Sequence, residues 1–141
     1  MIQRIQTLWL LIVAIAAFAT YTLTLYTGKI ADGTQQIFEL ANDFILVLVI
    51  ILLGILAMFC IFLYKKRKLQ FKLSVLGVIF SIAFIFLEYI RIENFKKDKL
   101  IQTGTYQIEA LLPIVMVIFF FMAARGIYKD ERLIKSMDRL R

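Results

Sequence analysis

Among the side chains able to do chemistry, Glu88 stands out because it lies within an apolar run, Phe71 to Ile90. An ionisable group in such a run is a candidate for ion- or proton-linked work, since holding a charge there is costly. At 1.5 Å per residue Glu88 is roughly 25 Å along a helix from Phe71, close to the far end of the run. Arg91, three residues on, falls on the same helix face. The expectation is therefore an interfacial Glu88–Arg91 pair with a structural role. The single cysteine, Cys60, lies among Met58, Phe59, Ile61 and Phe62, where a thiolate is disfavoured. With no histidine and one cysteine, an internal disulfide, a Cys/His zinc cage and an imidazole triad are excluded. The sequence contains no Gly-rich phosphate loop, no nucleophile elbow and no CxxC. No enzyme activity, cofactor or metal is expected.

Two charged stretches are candidates for binding. Lys65-Lys66-Arg67-Lys68, with Lys72 nearby, is either a determinant of membrane topology alone or a site for anionic lipid head groups or an acidic partner. The closing segment, Tyr128 to Arg141, reads as an amphipathic helix. Leu133, Met137 and Leu140 lie within about 60° on a helical wheel, and Ile127 and Ile134 widen the stripe. Asp130 and Glu131 near the start of that helix, and Lys135 and Arg139 toward its end, match a helix dipole. This helix either continues from the fourth run or breaks from it shortly after, near Gly126, a residue that allows a bend. Arg132, Leu133, Lys135, Met137, Asp138, Arg139 and Leu140 are the candidate contacts to a partner or to lipid. A protein groove is favoured slightly over lipid, because Asp130, Glu131 and Asp138 gain nothing from an anionic membrane.

These residues must be positioned by apolar elements. The 141 residues are 62% hydrophobic, against roughly 45–50% in soluble domains, and the mean hydropathy is +0.84. Four runs reach or approach the ~20 residues needed to cross a bilayer: about 8–26, 44–64, 71–90 and 106–124. Together they predict an all-α membrane fold, a four-transmembrane-helix bundle forming one domain with a tail over 125–141. A cleaved signal peptide at Ala17-Phe18-Ala19 is the rival reading of the first run, weakened by the apolar residues Tyr21, Leu23 and Leu25 beyond it. Pro113, inside the fourth run, is expected to kink it. Ser74, Gly77, Ser81 and Glu88 share a face on the third run and suit close helix packing, with Ala16, Thr20, Gly54, Ala57, Ala123 and Ala124 as counterparts.

Basic residues set the orientation. Arg4, Lys65, Lys66, Arg67, Lys68, Lys72, Arg125, Lys129, Arg132, Lys135, Arg139 and Arg141 fall on one side, 12 of the 17. The remaining five, Lys29, Arg91, Lys96, Lys97 and Lys99, fall on the other. Both termini are expected in the cytoplasm, and the positive charge is assigned to membrane topology rather than to nucleic acid. The outer loops, about Thr27–Asp43 and Arg91–Gln107, carry turn residues at Gly28, Asp32-Gly33 and Gly104. A small extracytoplasmic β element joining them is one reading; early onset of the second helix within Thr34–Leu40 is the other.

The opening residues Met1-Ile2-Gln3-Arg4-Ile5-Gln6-Thr7-Leu8-Trp9-Leu10, and the ending from Ala124-Arg125-Gly126-Ile127 through Lys129-Asp130-Glu131-Arg132 to Arg141, resemble an uncharacterised family of small membrane proteins of the Bacteroidota, a domain of unknown function. Tyr128 stands where a basic residue is expected. The resemblance covers the whole chain and implies a four-span inner-membrane protein. It brings no activity and no catalytic residue. The expected function is that of a structural or accessory component binding another protein through its outer loops or cytoplasmic tail; the alternative is a small transporter or channel subunit.

Overall fold

The apolar runs form helices, and the first and third of the segments between them form strands while the second is a tight 3-10 turn, Leu63–Lys65. The computed structural model describes residues 3–138, with the side chains of residues 5–134 and Ser136. Helix α1 spans Gln3–Tyr21, α2 Phe44–Phe62, α3 Arg67–Asp98 and α4 Leu112–Asp138. Asp43 starts α2: its side chain accepts hydrogen bonds from the backbone N–H groups of Ile45 (3.0 Å) and Leu46 (3.2 Å), satisfying two of the orphan donors of the first turn. Each helix packs against its neighbours in sequence, and α4 returns to pack against α1. Among the described residues three helical stretches are long and apolar enough to cross a membrane: Phe44–Lys65, Arg67–Asp98 and Ile108–Ile134. The apolar part of α1, Ile5–Tyr21, is shorter.

Small residues set the approach of the helices. Phe120 is fully buried against Gly77, where an added Cβ would come within 2.6 Å of the ring. Ala16, Ala57 and Ala123, with Thr20, Ser74 and Ser81, are all buried. The hydroxyls are satisfied locally, Thr20 donating to the carbonyl of Ala16 (2.7 Å) and Ser81 to that of Gly77 (2.8 Å). Thus the Thr20 and Ser81 hydroxyls leave no open demand, and Leu10, Phe84, Met116 and Phe120 fill the space between the helices.

The connections between α1 and α2 and between α3 and α4 do form strands. β1 (Thr24–Lys29) lies between β2 (Gln35–Glu39) and β3 (Thr103–Tyr106), antiparallel to both. The β1–β2 turn is closed by Gly33, at φ +80°, whose N–H donates to the Ile30 carbonyl (2.9 Å). Gly28 pairs with Gly104 across β1 and β3. The space that Gly104 leaves is occupied by the Tyr26 phenol.

Two expectations are corrected here, and one choice left open by the sequence is decided. The third helix does not end at Ile90 but continues through the charged stretch to Asp98, because hydropathy marks the depth of a helix and not its length. Lys96 and Glu93, one turn apart, make an ion pair at 2.6 Å on that extension. Pro113 does not kink a helix interior. The segment Ile108–Leu111 is a 3-10 turn, and Pro113 falls in the first turn of α4, where a missing N–H breaks no helical bond. Of the two readings at Gly126 the continuous one holds: α4 runs on to Asp138, and Gly126 admits α1, since an added Cβ would lie 3.0 Å from Gln6 Cγ and 3.2 Å from the Trp9 ring.

Candidate functional site

The Glu88–Arg91 pair expected from sequence is not formed. Arg91 Nε instead bonds Asp43 Oδ2 at 3.3 Å, tying α3 to the cap of α2. Glu88 points the other way, into the packed helices, and is 4% exposed, with no hydrogen bond or ion pair among the described residues. The physical reason is helix phase. Gln70, Ser74, Gly77, Ser81, Phe84, Glu88 and Ile92 form the buried face of α3 at spacings of three and four, and Arg91 lies off that face. Cys60 is buried on α2; its carbonyl accepts from Gln70 Nε2 (3.0 Å), and its sulfur lies 3.9 Å from Ser74 Oγ.

A second buried carboxylate lies at the opposite end, and sequence reasoning misassigned it. Asp130, 7% exposed, accepts from Gln6 Nε2 at 2.7 Å through Oδ2, while Oδ1 is buried without a hydrogen-bond partner among the described residues. Asp130 is therefore not a dipole-matching residue at a helix start; it lies deep inside α4, on the face packed against α1. The signal was present. Met116, Phe120, Ala123, Ile127 and Asp130 recur at spacings of three and four, so the buried stripe of the span simply continues. The predicted apolar stripe of the tail is split by the same phase. Ile127 is buried and Ile134 is half-buried, whereas Leu133 is 46% exposed beside exposed Arg132. Of the other tail candidates, the side chains of Lys135, Met137 and Asp138, and all of Arg139 and Leu140, lie outside the described residues.

The bond between Gln6 and Asp130 brings the start of α1 and the far part of α4 to one end of the molecule, together with the α2–α3 turn. Here the basic run 65–68, with Leu69 next to it, faces Glu131 and Ile134 of α4 across a cleft of about 510 Å³. On the other side of α4, Arg125, Tyr128, Lys129, Arg132 and Leu133 border a second concavity of about 490 Å³. The basic residues set apart by sequence position are thus gathered in space, and the sheet with its acids lies at the other end. At the sheet end Lys96 is held within a cluster: its ammonium lies 4.7 Å from the Tyr106 ring centroid and 5.0 Å from that of Tyr26, donates to Tyr106 Oη (3.1 Å) and pairs with Glu93. That cluster joins α3 to β1 and β3 and consumes its own charges. Among the described residues no three cysteine, aspartate or glutamate side chains converge to hold a metal ion.

The basic end, with its two clefts and half-satisfied Asp130, is the candidate site. It is assembled from the start of α1, the α2–α3 turn and the far part of α4. Comparison with curated proteins and with solved structures finds no match. Across residues 2–140, almost the whole chain, the sequence matches the family model described as Domain of unknown function (DUF4293), and the protein belongs to that family.

Proposed function

We propose that the chain is a non-enzymatic integral membrane protein that crosses the bacterial inner membrane four times, with both termini cytoplasmic, and serves as a structural or accessory component by binding another protein through its tail. One observation carries this reading: α4 is continuous over 27 residues, about 40 Å at 1.5 Å per residue, so its last turns extend past a hydrocarbon core of ~30 Å as a rigid rod. That rod presents exposed Tyr128, Lys129, Arg132 and Leu133 beside a concavity. An aromatic and an aliphatic side chain flanked by cations suit an amphipathic or acidic protein surface. The fourth crossing is assigned to α1, which packs between α2 and α4 despite its shorter apolar length, and the sidedness to the 12-to-5 division of basic residues.

The transporter reading has one observation in its favour, the buried and unpaired Glu88. Against it, the interior alongside Ser74 and Ser81 is occupied by Phe84, Met116 and Phe120, none of them exposed.

Removing residues 133–141 should leave an inserted protein that no longer co-purifies with its partner in mild detergent. Retention of the partner by the truncated chain would overturn the tail assignment. Asp138→Lys should weaken the association, and an unchanged or tighter one would make the tail a lipid anchor. Topology is tested separately, in a chain with Cys60 replaced. Single cysteines at Asp32 and Lys97 should react with an impermeant thiol reagent from outside the cell, and those at Arg67 and Lys68 should not.

A further inference from the structure

The cleft between the α2–α3 turn and α4 has walls of two kinds. One carries four consecutive cations, Lys65, Lys66, Arg67 and Lys68, followed by Leu69; the other carries Glu131 and Ile134. Four positive charges face one acid. The backbone adds to the imbalance: α3 begins at Arg67 with no side chain capping it at Lys66 and no acidic residue in its first turn, so its first N–H groups and the positive end of its dipole are directed toward the same region. Immediately before the basic run, Phe59, Phe62 and Tyr64 are 62%, 72% and 52% exposed. Outward aromatic side chains next to a run of lysines mark the level where hydrocarbon gives way to head groups. Leu69 and Ile134 make part of the cleft apolar, which suits a ligand with an anionic head and an aliphatic body.

We infer that this cleft binds an anionic phospholipid of the adjoining leaflet, with the phosphate held among Lys65, Lys66, Arg67, Lys68 and the start of α3, and the glycerol and upper acyl carbons against Leu69 and Ile134. An acidic peptide would satisfy the cations but leave unused the apolar wall and the exposed aromatic residues beside it. The inference rests on the membrane reading above and is independent of any protein partner.

The test is native mass spectrometry of the full chain purified in detergent and titrated with phosphatidylglycerol, with phosphatidylcholine as the neutral comparison. The variant pair Lys66→Gln/Arg67→Gln removes two cations from the cleft. Lys129→Gln/Arg132→Gln removes the same charge from the other side of α4. The wild type should retain phosphatidylglycerol in preference to phosphatidylcholine. The cleft pair should bind it roughly 25-fold more weakly, at about fivefold for each interfacial cation lost, and the other pair should bind as the wild type does. Equal loss in both pairs, or loss in neither, would overturn the site. Inorganic phosphate should not displace the lipid; displacement at comparable concentration would make the cleft a phosphate site and overturn the lipid assignment. Should the cleft pair unfold, Ile134→Asp, which keeps all four cations and sets a carboxylate in the opposite wall, should weaken phosphatidylglycerol alone, and unaltered binding would overturn the site. A chain that stays dispersed without detergent would overturn the membrane reading itself, before any lipid is added.

Discussion

The two ends of the molecule solve the same problem in opposite ways. Each must finish several helices and satisfy the polar groups exposed there. The sheet end pairs most of them internally: Asp43 both caps α2 and pairs with Arg91, Lys96 is shared among Glu93, Tyr26 and Tyr106, and Gln107 donates to Thr27 Oγ1 (2.9 Å), with Glu109 Oε2 left buried and unbonded among the described residues. At the basic end Gln6 and Asp130 bond each other and the four cations of the turn face one acid. A charge that is already paired has little left for a ligand, whereas a cluster of one sign raises the potential around it and attracts counter-ions. The contrast separates an end whose charges are paired within the fold from an end that gathers charge of one sign.

The sharpest way to break the contrast is to disturb the paired end. Gly104→Ala sets a methyl group against the Tyr26 phenol and 2.8 Å from the Thr27 carbonyl oxygen. Overpacking at a site bounded by backbone should destabilise by about 1–3 kcal/mol, read as a lowered midpoint of thermal unfolding in detergent. An unchanged midpoint would mean that the sheet contributes nothing to global stability. At the basic end, Gln6→Leu removes the donor to Asp130 and leaves a buried carboxylate with neither oxygen bonded. The expected loss is about 1–3 kcal/mol, and Asp130→Asn, which still accepts from Gln6, should cost less. If the two variants cost the same, Gln6 acts through packing alone.

Smaller effects refine the picture. Asp43→Ala loses a cap and an ion pair and should cost about 1 kcal/mol, while Arg91→Ala loses only a partly exposed pair and should stay within ~0–1 kcal/mol. A larger effect at Arg91 than at Asp43 would make the ion pair, and not the cap, the tie at this end. The smallest change is expected from Glu88→Gln. It preserves shape and replaces a carboxyl that has no charged partner in the described structure, so folding and insertion should be unaltered, as measured by yield from membranes and by the unfolding midpoint. Loss of the protein on this substitution would reveal an ionised role for Glu88.

Glu88 and Asp130 also show what local sequence conveys. Glu88 is conspicuous because its neighbours are apolar, yet its expected partner was wrong. Asp130 is hidden among Lys129, Glu131 and Arg132, and a reading by local polarity sends it to solvent. Both are buried for the same reason: a helix repeats every 3.6 residues, and each residue falls on the face that its neighbour helix covers. Hydropathy averaged over a window cannot register which single residue of a charged stretch lies in phase with the packed stripe.

The sequence by itself determined the apolar helices, the small-residue faces along which they approach, the strand-forming loops around Asp32-Gly33 and Gly104, and the segregation of basic residues. Each of these follows from composition or from a period of two or 3.6 along the chain. The tertiary structure alone decided that α3 continues to Asp98, that α4 passes Gly126 unbent, that Arg91 chooses Asp43 over Glu88, and that Gln6 meets Asp130 across 124 positions of sequence. Those outcomes depend on how helices separated in the chain align side by side, and a pairing between distant residues is fixed by that alignment and by no feature local to either one.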